Sequence, residues 1–432
     1  MKKIFLTIFF LFNIGLIFSQ SGSLSPYSFF GIGENTFKGT IDSRSMGGLN
    51  IYSDSLYLNL TNPAAYTELK LVNYSVGIDY TVSNLKTDIS MNKTKTGGVN
   101  YLAVAIPTKK LVFGFGIIPN NSVGYLLQTE DKSISPKEIN RFEGDGGVNT
   151  AFLTLGFKVF KKIRLGLSAN YQFGNLEHLN SRFLEGIELY TELQSKSSLS
   201  GIQFVYSTLF REKIYKDLTL HVSYIFTPKS NLSSINSQTL ATIPGTGTFG
   251  GDSENIDLAA LNLDRTKIYI PSTNSFGLGI GKEKKWFVGI DYTIRAGGGF
   301  ENKLFSLEDV KYKQGSKISF GGLYIPNYNS FTSFFSRIVY RAGIRVEKSG
   351  LNIQNQAINE FGINFGLGIP VQGFQNLNLG FEVGKRGTTN NGLVQEDFIS
   401  IRLGLTLNDR WFVRNKYNYC LLYTSPSPRD VE

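Results

Sequence analysis

The chain has 432 residues, 41% hydrophobic, 18% charged and 13% aromatic, with 46 Gly, one Cys and two His. Its formal charge is +10, but the basic residues are scattered rather than massed, which argues against a nucleic-acid footprint. So few Cys and His exclude a disulfide scaffold and a Cys/His zinc site and leave little for His-based catalysis, and a mean hydropathy of −0.08 argues against a polytopic helical membrane protein. A membrane barrel stays open, because alternating apolar and polar residues cancel in any average.

Met1-Lys2-Lys3 is a short basic start, followed by a fifteen-residue apolar run at 4–18 and then Ser19-Gln20-Ser21-Gly22. The run is short for a membrane-spanning helix and fits a signal-peptide core. We assign 1–19 to a signal peptide cleaved after Ser19, leaving a mature chain of charge about +8. Residues 20–71 are rich in Gly, Ser and Asn, contain SPYSFFGIG and RSMGGLNIYSDSLYLNLTNPAAY, and show no long period-two face. They read as an N-terminal plug folding into a lumen or, more blandly, as a periplasmic tail.

From 72 onward the pattern changes. In VNYSVGIDYTV, Val72, Tyr74, Val76, Ile78, Tyr80 and Val82 share one face, while Asn73, Ser75, Gly77, Asp79 and Thr81 share the other. Strict alternation over eleven residues is a strand with one apolar face, long enough to cross a bilayer at a tilt. Similar segments recur at 163–174, 218–226, 286–295, 338–347, 360–369, 377–384 and 399–407, with noisier ones at 99–106, 111–118, 148–160, 199–210, 275–281 and 317–325. Together they predict a fourteen-stranded antiparallel transmembrane β-barrel over 72–412. The connections alternate long and short, as external loops and periplasmic turns do, and Trp286 and Trp411 fall at the periplasmic rim, where an aromatic girdle sits.

Asn62-Pro63-Ala64 ahead of fourteen strands resembles the hatch of FadL-type outer-membrane transporters of long-chain fatty acids and other hydrophobic compounds. The SPYS and RSMGG openings, FGFGIIPNNSVGY at 113–125, YIPN at 324–327 and LNDRWF at 407–412 are similar to the Bacteroidetes branch of that family. The resemblance implies a hatch carrying Asn62, Pro63 and Ala64 that blocks the lumen, and sideways exit of ligand through a kink in the third strand. There Gly114, Gly116 and Pro119 are the candidate opening, since Gly weakens a strand and Pro removes a ladder donor. Among the inward charges, Arg295, Arg341, Arg345 and Arg402 are candidate contacts for an amphiphile's carboxylate; Asp79, Asp291, Glu347 and Glu382 share that inner face and offer ion pairing as the blander role.

Other motifs carry little. Gly245, Gly247 and Gly250 have dinucleotide-fingerprint spacing but lack a strand–turn–helix context. His221 beside Ser223 invites a hydrolase reading, with nothing in sequence to orient the imidazole or stabilise an oxyanion. Residues 413–432 form a tail, of which 420–430, with the one Cys, reads as a sequencing artefact.

The expected protein is therefore a non-enzymatic monomer of the cell outer membrane, surrounded by lipid and lipopolysaccharide, without cofactor, metal or nucleic-acid partner. Its expected task is passive uptake of hydrophobic or amphipathic small molecules, such as long-chain fatty acids or aromatic hydrocarbons. The alternative is a PorV-like docking or shuttle barrel in type IX protein secretion.

Overall fold

A computed structural model describes residues 24–411, apart from 132, 134, 245–250, 306–308 and 372–374. The leader at 1–19, the glycine motif at 245–250 and the tail at 413–432 lie outside the described residues.

Fourteen antiparallel strands close into a barrel: β1 Val72–Lys86, β2 Met91–Pro107, β3 Leu111–Asp131, β4 Glu138–Lys158, β5 Ile163–Leu184, β6 Leu189–Tyr215, β7 Leu218–Thr227 resuming as Ser230–Pro244, β8 Arg265–Ile270 resuming as Thr273–Lys282, β9 Trp286–Arg295, β10 Gly315–Tyr324, β11 Val339–Ile353, β12 Gln356–Pro370, β13 Asn376–Gly387 and β14 Gln395–Asp409. Closure is by β14 on β1, in unbroken register from Gln395↔Lys86 to Asp409↔Val72. The interruptions of β7 and β8 coincide with Pro228 and Pro271, whose missing N–H cannot join a ladder. Short strands Ser253–Ile256 and Val310–Tyr312 add to β7 and β11.

Each segment expected as a barrel strand lies in one, but most residues expected in external loops extend the strands instead. Pro119 to Asp131 continues β3, and β6 begins at Leu189. Above the bilayer both faces of such a strand meet water or other polar groups, so the apolar alternation that marks a spanning segment is absent there.

The two faces are inverted relative to a soluble protein. Ile78 and Tyr80 on β1, Val288 and Ile290 on β9 and Ile399 and Ile401 on β14 are exposed, whereas Asp291, Arg345, Glu382 and Ser400 are buried inside. A charge on the outer face near the bilayer midplane would cost about 2–4 kcal/mol, which holds the register in this sense.

Inside the wall runs the segment from Leu24 to Leu71, with a helical turn α1, Ile41–Arg44, and two 3-10 turns, Pro26–Phe29 and Pro63–Glu68. Chain direction reverses after α1 at Gly47 and Gly48, whose φ of 76° and 80° favour glycine. The apolar core lies between this segment and the wall: Met46, Leu49, Ile51, Ala64 and Ala65 pack with Leu209, Phe287 and Val339, while Ile41, Leu58 and Tyr66 pack with Tyr101, Ala103 and Phe152. The inward glycines make that packing sterically feasible. A Cβ at Gly343 would lie 2.2 Å from the Gly47 amide nitrogen, and one at Gly166 would lie 2.2 Å from that of Ala64.

Candidate functional site

The wall is incomplete at one seam. β2 pairs with β1 up to Met91↔Lys86, and β3 pairs with β4 up to Asp131↔Glu138, yet the β2–β3 ladder stops at Leu102↔Ile117. Both strands carry an irregularity where it stops: Asn100 is skipped in the β1–β2 register, and Asn120 in the β3–β4 register just after Pro119. A bulge adds a residue, bends its strand and increases twist, so facing bulges drive the two upper halves apart.

The inner segment covers part of this edge. Glu34–Asn35 adds antiparallel to β3 at Ser122 and Asn121. Thr36 N donates to the Asn120 carbonyl at 3.1 Å and Thr36 Oγ1 to that of Pro119 at 2.6 Å, while Ser28 Oγ donates to the Gly124 carbonyl at 2.9 Å. Backbone groups that a barrel seam would satisfy are thus satisfied from within.

A lumenal cavity of about 950 Å³ reaches from this gap, where Asn100 and Pro119 line it, to Lys38, Arg295, Lys317 and Glu347 across the barrel. Burial, reinforced by the nearby positive charges of Arg295 and Lys317, pulls the Lys38 ammonium down to about 8. Among the described residues neither Lys38 nor Lys317 makes an ion pair within 4.0 Å, so both present charge to the cavity.

The four arginines singled out from sequence separate into different roles. Arg345 and Arg402 converge on buried Glu382 from β11 and β14, with Arg345 Nη2 at 2.8 Å and Arg402 Nη1 at 2.7 Å. Arg44 of α1 meets the same carboxylate at 2.8 Å and 3.0 Å. Arg341 is buried, donates to Asn378 Oδ1 at 3.1 Å and stacks 4.7 Å from the Tyr57 ring centroid. Arg295, half-buried, lies 5.2 Å from the Phe300 ring and borders the cavity.

Asn62 caps the Pro63–Glu68 turn, its side chain accepting from Ala64 N at 3.2 Å. Ala64 N also receives Ser207 Oγ as acceptor at 2.7 Å, fixing the turn against β6. The turn ends on Glu68, which Arg164, Arg211 and Lys158 surround; burial alone would raise its carboxyl, and these cations hold it below the ordinary value. Gly114 and Gly116 lie in the paired part of the β2–β3 ladder, Gly114 beneath the Tyr66 ring, whereas Pro119 stands beside the gap. His221 Nδ1 lies 3.5 Å from Ser53 Oγ and not in a hydrogen bond with Ser223. Sequence reasoning missed Lys38, Lys317, Arg44 and Glu68. Lys317 begins a recognised strand, but the other three sit in aperiodic chain whose orientation only packing decides.

A closed fourteen-stranded wall around an inner N-terminal segment, with a break in pairing between its second and third strands, shares the fold of FadL-type barrels. The BamG family model matches residues 1–418, and the chain belongs to the BamG family. Similar solved structures are the monoaromatic hydrocarbon channel CymD (14% identity, 87% of this chain and 99% of that one, TM-score 0.54), the toluene transporter TodX of Pseudomonas putida (15%, 87% and 99%, 0.54) and a FadL homologue of Pseudomonas aeruginosa (12%, 88% and 100%, 0.54). At these identities the likeness is one of fold. No curated protein matches the chain in sequence.

Proposed function

We propose that this protein is a passive outer-membrane channel for small amphipathic molecules, working as a monomer after removal of its leader. The observation that carries the reading is the β2–β3 gap meeting a cavity of about 950 Å³. A molecule would enter among the extended external strands, rest in the cavity and leave sideways past Asn100 and Pro119 into the bilayer. The lining sets charged groups beside Ile118, Phe152 and Phe300, which suits an acidic head on an apolar body better than a plain hydrocarbon. Lys38 and Lys317, with Arg295, would receive the head, because Arg345 and Arg402 are already engaged by Glu382, and Arg345 by Glu347 and Glu360 as well. The hydrocarbon and toluene channels of similar fold support passage of apolar molecules through such a wall. The docking alternative expects a filled lumen, and an open one favours passage.

The test is uptake of labelled long-chain fatty acids and of a neutral aromatic by cells expressing the protein. Wild type is expected to accelerate uptake, and Lys38→Gln/Lys317→Gln to slow that of the fatty acid about fivefold while sparing the aromatic. No difference from empty cells across the panel sinks the reading.

A further inference from the structure

We propose that the outer face of the wall, from β11 round to β2, binds the phosphorylated headgroup of lipopolysaccharide in the outer leaflet of the membrane. The short turns at 108–110, 159–162 and 283–285 mark the periplasmic end of the barrel, and strands prolonged beyond their apolar rows, such as β6 from Leu189, mark the external end. Toward that external end the outward positions stay apolar to a definite height and then turn basic. On β11 Ile344 and Val346 are followed by Lys348, and on β13 Phe381 and Val383 are followed by Lys385, all exposed. On β2 the outward row above its bulge runs from exposed Val99 through Gly97 to exposed Lys95 and Lys93.

Strand pairing gathers these lysines into one surface. Lys385, Asp397, Asn84 and Lys93 form a single cross-strand row over β13, β14, β1 and β2, and the row beneath it is Val383, Ile399, Val82 and Lys95. Strands about 4.8 Å apart make the upper row about 14 Å long, the scale of a phosphorylated disaccharide. Its one carboxylate, Asp397, is paired with Lys86. Among the described residues Lys93, Lys95, Lys348 and Lys385 make no ion pair, so four ammonium groups are left for an anion.

The rest of the wall does not repeat this pattern. Where the outward rows of β4, β5, β6, β8 and β10 first turn polar they carry Asn149, Asn175, Ser200, Asn274 and Ser316, none of them charged. The basic surface is thus confined to one sector, and it shares its outward face with the lipid-facing side chains directly beneath it. Ammonium groups that begin where the apolar row ends stand at headgroup depth, their stems lying along the apolar wall. In the outer leaflet of a bacterial outer membrane the headgroups at that depth are the phosphate-bearing sugars of lipopolysaccharide, to which ammonium groups make charge-assisted hydrogen bonds.

Native mass spectrometry of the purified full chain in detergent, titrated with lipid A, with lipid A stripped of its phosphates and with phosphatidylglycerol, tests the proposal. Wild type is expected to bind intact lipid A about fivefold more tightly than either alternative. Lys93→Gln/Lys95→Gln/Lys348→Gln/Lys385→Gln should lose that preference, and Lys93→Arg/Lys95→Arg/Lys348→Arg/Lys385→Arg should keep it. Lys161→Gln/Lys216→Gln, at the periplasmic end, should keep it too, and every variant should retain the heat-dependent gel shift of a folded barrel. Equal binding of intact and stripped lipid A by wild type, or an undiminished preference in the fourfold glutamine variant, overturns the site. Binding of phosphatidylglycerol as tight as that of lipid A overturns its assignment to lipopolysaccharide.

Discussion

Glu382 illustrates how one residue can join wall and plug. Its carboxylate, buried on β13, accepts from Arg345 and Arg402 of the wall and Arg44 of α1. Converting it to alanine leaves three guanidinium groups without their shared counter-charge in the lumen, and breaking a buried pair costs about 3–5 kcal/mol. We expect Glu382→Ala to lower the temperature of the heat-dependent gel shift and to expose residues 24–71 to protease added from outside, with Glu382→Asp intermediate. An unchanged transition and an intact plug would contradict this account. The sequence placed Glu382 and the arginines on the inner face through alternation alone. Which of them are neutralised depends on Arg44, which no periodicity locates.

Among the elements, β3 departs furthest from a regular strand. Its outward residues are odd-numbered up to Ile117, and after the bulge at Asn120 the sense reverses, so that Leu126 is exposed and Val123 and Tyr125 are buried. That reversal explains why the alternation at 111–118 appears to end there: a period-two pattern that changes parity reads as the end of a strand. β2 does the same at Asn100, with Val99 and Leu102 both exposed. Deleting Asn120 would remove the extra residue while keeping the existing Pro119↔Asn149 and Asn121↔Val148 register and turning no side chain to the wrong face, because the bulge is the source of the parity change. We expect this deletion to extend the β2–β3 ladder, slow amide exchange at 97–101 and reduce uptake about tenfold. Uptake at the wild-type rate with slowed exchange would exclude the seam as the exit.

At the scale of the molecule, wall and plug form one folding unit, because the buried apolar residues of each are covered by the other. Removing 24–71 uncovers Leu209, Phe287, Tyr101 and Phe152. A lumen of fourteen strands emptied of its plug is wide enough for water and ions. In planar bilayers the deletion is expected to give large, steady single-channel currents where the full chain gives none, together with a lower unfolding temperature. Equal conductance of the two proteins would mean that the segment does not close the lumen.

Strand number, inner and outer faces and membrane setting were fixed by the sequence alone, since the bilayer requires an apolar residue at every second outward position and leaves that period in the chain. Asn62-Pro63-Ala64 stood out in the sequence only through a family resemblance, and its place at the start of a short helical turn is seen only in the structure. Tertiary structure alone decided the rest: that the long gaps between segments are mostly paired strand, that two bulges open one seam, that glycines such as Gly343 and Gly166 seat the plug, and that Lys38 and Lys317 face the cavity while Arg345 and Arg402 are engaged. These features depend on which residues meet across hundreds of positions in the chain, and local periodicity does not encode such encounters.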